Sequence, residues 1–176
     1  MQAKTIFYIV IGVALAVAAA GQARADELPL HKAGLWEIKV SMQRPGAGRS
    51  PPSTSRRCMD PASEEEEEKD MMRGMREGDV TCTKKESKKT ATGYVLDSAC
   101  TSKSAGMTAT SHVEITGDFN SAYTMKSTMQ TKGEKDPRRM TAEYKYAGAC
   151  PAGWKPGEVE MNGRRFHPKN RIKGNL

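Results

Sequence analysis

Histidine is scarce and scattered in this chain. His31, His112 and His167 are the only three, and none lies near a plausible nucleophile in sequence. No G-x-S-x-G, H-E-x-x-H or glycine-rich phosphate loop occurs, so the signatures of the common serine hydrolases, zinc proteases and nucleotide-binding folds are missing. The cysteines form no C-x-x-C pair, which removes the usual spacing of a dithiol redox centre, and no paired short spacings of the kind structural zinc takes. Aromatic residues make up 6% of the chain, so its core must be modest. The one long apolar run, from Ile6 to Ala20, is about fifteen residues, short of the roughly twenty that span a bilayer.

That run has the grammar of an export signal. Lys4 precedes it, Ala23-Arg24-Ala25 follows as a small-x-small cleavage pattern, and a polar sequence starts at Asp26. The reading is a signal peptide over 1–25, cleaved after Ala25, with a β-domain at 26–162 and a basic C-terminal tail at 163–176. In a bacterium this means the periplasm. No cysteine precedes Cys58, so no thiol stands at the cleavage site to carry a lipid. An oxidising compartment and an even cysteine count predict two disulfides. Of 28 basic and 21 acidic residues, Lys4 and Arg24 leave with the leader, and Arg164, Arg165, Lys169, Arg171 and Lys173 lie in the tail. The domain between is charge-neutral, which argues against nucleic-acid binding.

Past Gly34 the hydrophobic period is two, the mark of strands with one buried face. Trp36, Ile38, Val40 and Met42 alternate with Glu37, Lys39 and Ser41. Further strands are predicted at 54–58, 80–86, 92–100, 105–116, 119–131 and 138–147. "DPASEEEEEKDMMRGMREGD" is the one helical stretch, with Asp60 as cap, Pro61 in the first turn, Glu64 to Glu68 near the positive helix end, and Gly74 and Gly78 as stops. About seven one-sided strands and one helix predict a mainly β fold, an antiparallel meander curled into a barrel or small sandwich with the helix covering it. Parity of the buried faces favours a three-residue loop pairing Ile115 with Phe119. It also favours a ladder bringing Met129 to Met140, Met125 to Tyr144 and Tyr123 to Tyr146.

Cys82 and Cys100 are symmetric about Ala91, in the polar tip of a hairpin, so they oppose one another on the inward face within disulfide reach. Of the three connectivities open to four cysteines, this favours Cys82–Cys100 with Cys58–Cys150. Met71, Met72 and Met75 on the helix offer thioethers suited to Cu(I), against packing as flexible gap-fillers. His112 shares a polar strand face with Glu114 and reads as ordinary surface. The glutamate run reads as a solvated face, because consecutive helix residues fan around the axis. The tail bases could touch an anionic surface, against a merely solubilising role.

"GLWE", "CMD", the Cys82–Cys100 hairpin, "SHVEITGDFNSAYTM" and "GACPAGWKPGE", in that order and spacing, resemble the family called domain of unknown function 3617. The resemblance covers about Leu28 to Asn162. It implies a small exported protein of the kind found mainly in proteobacteria, and it brings no catalytic residues. Trp154 and the basic tail depart from the family's usual pattern. The expected function is therefore a non-catalytic, monomeric envelope domain without cofactor, binding a partner or an apolar small ligand. The alternatives are soft-metal binding through Met71, Met72 and Met75, and an unrecognised hydrolase or isomerase.

Overall fold

A computed structural model describes residues 28–77 and 79–168, without the side chain of Arg76. The predicted leader, residues 1–25, and Lys169, Arg171 and Lys173 lie outside the described residues. The elements run β1 (Gly34–Gln43), β2 (Ser53–Met59), α1 (Pro61–Glu77), β3 (Val80–Lys89), β4 (Gly93–Ser102), β5 (Met107–Asp118), β6 (Ala122–Thr131), β7 (Arg138–Gly148), β8 (Val159–Met161) and β9 (Arg164–Phe166). All strands lie in one antiparallel sheet, ordered β3-β4-β5-β6-β7-β1-β2-β8-β9. The stretch β3 to β7 is a meander of successive hairpins. The sheet is not closed, for β3 and β9 are its two edges. No described helix is long and apolar enough to cross a membrane.

The alternation read from the sequence sets the buried face. Cross-strand pairs on that face include Trp36 with Tyr146, Ile38 with Tyr144, Val40 with Ala142 and Met42 with Met140 between β1 and β7. Between β4 and β5 they include Tyr94 with Ile115 and Leu96 with Val113. Trp36 is fully buried, and with Met59, Ile115, Phe119 and Tyr123 it forms the centre of the core. Phe119, Tyr123 and Tyr144 stack in series, ring centroids 4.5 and 4.3 Å apart, so a chain poor in aromatics concentrates them at one place.

The helix is capped as expected. Asp60 Oδ1 accepts from the amides of Ala62 (3.1 Å) and Ser63 (3.3 Å), satisfying donors that the first turn leaves without partners. Gly74 does not stop the helix, which runs on to Glu77. An exposed mid-helix glycine costs only about 1 kcal/mol relative to alanine, too little to break a helix fastened elsewhere.

Both hairpin registers differ from the sequence expectation. The three-residue loop after β5 is Phe119–Ser121, with Asp118 paired to Ala122 and Ile115 to Met125. Asp118 makes the turn there: its carboxylate accepts from the Asn120 amide (3.0 Å) and the Ser121 hydroxyl (2.8 Å), an Asx-type turn. Gly117 therefore stays in the strand at φ 120°, where an added Cβ would lie 2.5 Å from the Ala122 carbonyl oxygen. Between β6 and β7 the ladder is Tyr123 with Tyr144 and Met125 with Ala142, and the last pair is Met129 with Arg138. This is two residues from the expected register, with the faces unchanged. Gln130 accounts for the shift: its amide donates to the carbonyls of Thr131 (3.1 Å) and Glu134 (2.7 Å), which holds a longer loop.

Cys82 pairs directly with Cys100, and a bulge between Cys82 and Lys84 then displaces the rest of the hairpin by one. The tip is accordingly not centred on Ala91. Disulfides join Cys82 to Cys100 and Cys58 to Cys150, and no described cysteine is free. The strands beyond the expected seven are β8 and β9. Asn162 (φ 52°) and Gly163 (φ 71°) form their turn, the Asn-Gly signature of a tight hairpin. Arg164 and Arg165 thus belong to the sheet, where the sequence reading began a tail.

Candidate functional site

Two polar clusters lie on opposite faces of the sheet. The first is under α1. His31, just before β1, donates its backbone amide to Glu64 Oε2 (3.1 Å), and its Nδ1 lies 2.7 Å from Glu64 Oε1. Its Nε2 lies 2.5 Å from the Tyr123 hydroxyl. The rings of Trp36, Phe119, Tyr123 and Tyr144 surround it at centroid distances of 5.3 to 6.0 Å. Arg57 lies on the inward side of β2, across from Trp36, and pairs with Glu67. Glu64 and Glu67 are three residues apart, so both reach the sheet from one helix face. The glutamate run is therefore not wholly a solvated face: two of its five carboxylates fasten the helix to the core.

Burial pushes the Tyr123 hydroxyl far above the usual range, and the neighbouring Tyr144 and Glu64 add to it. Burial also raises Tyr144. Both phenols are held neutral. Glu64, His31 and Tyr123 form a carboxylate–imidazole–phenol chain, an arrangement able to pass a proton. Tyr123 is 6% exposed, and the contact of His31 with Glu64 ties the coil before β1 to the first turns of α1. The cluster works as a clasp.

The second cluster faces outward. Asp97 on β4 pairs with His112 on β5, Oδ1 to Nδ1 at 2.8 Å, and His112 Nε2 lies 3.4 Å from Glu114. Lys84 Nζ lies 3.6 Å from Asp97 and 3.3 Å from Glu86. A groove of about 260 Å³ opens here, and Lys84, Asp97, Thr110, His112, Thr128 and Gln130 are among its lining residues. The hydrogen bond to Asp97, then that to Glu114, raises the His112 pKa above its usual 6.5. The bond to His112 is the main cause lowering Asp97 below 3.8.

The pair therefore has a defined pH window. On the histidine side its contribution is complete below pH 6.5 and is lost as pH rises through the raised value. On the aspartate side it is present above pH 3.8 and is lost as pH falls through the lowered one. Asp97→Asn should move the His112 midpoint down, read from its ring-proton NMR shift. An unmoved midpoint would show that the 2.8 Å contact is not populated in solution.

The other sequence candidates separate. Met72 Sδ lies 3.8 Å from Lys85 Nζ on β3, and Met75 is half-buried. Met71 is 60% exposed and lies one turn from Met75 on the same helix face. Arg165 is held against the Trp154 ring (5.6 Å) and donates to the Gly153 carbonyl (3.1 Å). It braces the 149–158 segment, and Lys169, Arg171 and Lys173 lie outside the described residues. A groove of about 310 Å³ at the start of α1, with Asp60, Glu66, Glu67 and His167 in its lining, is acidic. No described group of His, Cys, Asp and Glu is arranged to hold a metal ion.

The arrangement from His31 through the cysteine bridge at Cys150 coincides with a known sequence profile. Residues 31–150 match the family described as Protein of unknown function (DUF3617). The chain belongs to DUF3617. The DUF3617 match takes in the whole clasp, the outward groove and both disulfides, and it stops before β8 and β9. No curated protein and no solved structure matches the chain.

No sequence motif marks His31, Arg57, Glu64, Glu67 or Asp97 as partners. The i, i+3 glutamates and the parity of Arg57 opposite Trp36 were the available signals.

Proposed function

We propose that this DUF3617 protein is an exported, periplasmic, non-catalytic binding domain whose contact surface is the outward polar groove of β3 to β6. The observation that carries this reading is the division of the two faces. The inward face is filled at its centre by the protein's own aromatic stack and clasped by α1. The outward one offers Lys84, Asp97 and His112 beside an open groove, and convergent polar groups with shifted pKa values mark candidate sites. The leader pattern and the two disulfides support export, since disulfides persist in oxidising compartments. The filled centre favours a polar partner or ligand over an apolar one.

Osmotic-shock fractionation followed by native mass spectrometry tests both halves. The protein should appear in the periplasmic fraction, carrying a bound species that Asp97→Asn/His112→Gln loses without a change in circular dichroism. Retention in the cytoplasm refutes the export half. A bare mass for the native protein, or binding indifferent to the double substitution, refutes the assignment of the groove.

A further inference from the structure

One edge of the sheet is long and carries charge of mainly one sign. The edge strand β9 has three residues, whereas β3 has ten. Among the described residues, no backbone hydrogen bond joins Val80–Lys89 to any element other than β4. α1 meets β3 from the inward side, where Met72 Sδ lies 3.8 Å from Lys85 Nζ. Lys84, Lys85, Lys88 and Lys89 stand along the strand, all exposed, and Glu86 is its one acid. The bulge after Cys82 sets their faces. Lys84 and Lys88 are opposite Ala99 and Val95, on the outward side with Asp97. Lys85 and Lys89 are opposite Ser98 and Tyr94, on the inward side. Lys84 is shared between Glu86 and Asp97. Lys85 and Lys88, one on each side, have no carboxylate partner among the described residues.

We infer that the free edge of β3 takes an extended acidic segment of a partner protein as an added strand. In strand addition, main-chain hydrogen bonds give affinity and the side chains of each face give specificity. Side chains of an added strand alternate between the two faces, so acids on either face find a lysine row beside them. A flat anionic surface would leave the main-chain groups of the edge without partners. The same charges oppose a second copy of this chain. A two-fold pairing of β3 centred between Glu86 and Ser87 sets Lys84 against Lys89 and Lys85 against Lys88, and like charges directly opposed repel. Lysines on an edge guard against indiscriminate pairing. Here the guard is also a filter, because it rejects neutral and basic strands and accepts an acidic one. Lys84 and Lys88 are four residues apart, as are Lys85 and Lys89. The matching segment therefore has two acids, two neutral residues and two acids, with the neutral pair facing Glu86 and Ser87. The edge is a separate site from the outward groove, although Lys84 borders both.

A fluorescent peptide with Glu-Glu-Thr-Thr-Glu-Glu at its centre, titrated with the oxidised protein and read by anisotropy, tests this. It should bind, release as salt is raised, and slow the exchange of those β3 amides that point away from β4. Lys85→Glu/Lys88→Glu should weaken binding about 10-fold, because two cross-strand pairs turn from attraction to repulsion. Its melting temperature should hold, as for other surface substitutions, which separates loss of binding from loss of fold. The same peptide N-methylated at alternate backbone amides, in either register, should not bind. Asp97→Asn/His112→Gln should not weaken binding; weakening there would put the peptide in the groove and overturn the assignment to the edge. No binding to the native protein overturns the inference, as does an affinity indifferent to Lys85→Glu/Lys88→Glu. Undiminished binding of both N-methylated peptides also overturns it, being the result expected of charge attraction alone.

Discussion

Replacing Cys58 and Cys150 together by alanine should lower the unfolding free energy by about 4–5 kcal/mol, read from urea denaturation of the oxidised protein. The bridge closes a separation of 92 residues, against 18 for Cys82–Cys100. In the chain-entropy account the longer loop confines the unfolded chain more, so the shorter bridge should be worth only about 3 kcal/mol. Native contacts point the same way. Cys58 is buried beside Leu35, its amide donates to the Glu158 carbonyl, and its own carbonyl accepts from Gly157 (2.8 Å). Losing the bridge therefore also loosens the segment that leads into β8. An equal or larger loss from the Cys82/Cys100 double variant would contradict the loop-length account.

Glu64→Ala should cost about 3 kcal/mol, the low end of the range for breaking a buried pair, because its side chain and that of His31 keep 17% and 16% of their surface exposed. Removing the carboxylate takes from His31 Nδ1 the group that lies 2.7 Å from it. Glu64→Leu/His31→Phe should recover part of the loss, since two apolar groups fill what one orphaned ring cannot. Amide exchange along α1 should quicken in the single variant. A loss below about 0.5 kcal/mol, as for surface pairs, would mean that the helix is held by Arg57–Glu67 alone.

Alternation carried most of the fold. Every long strand was legible because each puts its apolar residues on one face, and parity kept those faces correct even where register moved. Register was harder because local side chains set it. Asp118 draws the β5–β6 turn toward Asn120 and Ser121, and Gln130 lengthens the next loop; period two reports neither. The β8–β9 hairpin announced itself only through Asn162-Gly163, its strands being three residues each, too short to show a period. The clasp was hidden for a different reason. Its members come from a coil, a strand, a helix and the β6 strand, and a glutamate run looks the same whether water or histidine receives it.

That placement of β1 has a bearing on how the molecule comes into being. The first strand of the domain occupies an interior position, with β2 on one side and β7 on the other. The β2 seam can form as soon as a short loop emerges, whereas the β7 seam waits for residues 138–148. Until then β1 offers an open hydrogen-bonding edge, the feature that invites pairing with foreign chains. The hairpins from β3 to β7 meanwhile assemble from neighbours in sequence. The molecule is thus two locally built pieces joined late along one long-range seam, and contacts of such separation slow folding. Cys58 and Cys150 flank that same seam, so oxidation of this pair would record the moment at which assembly is complete.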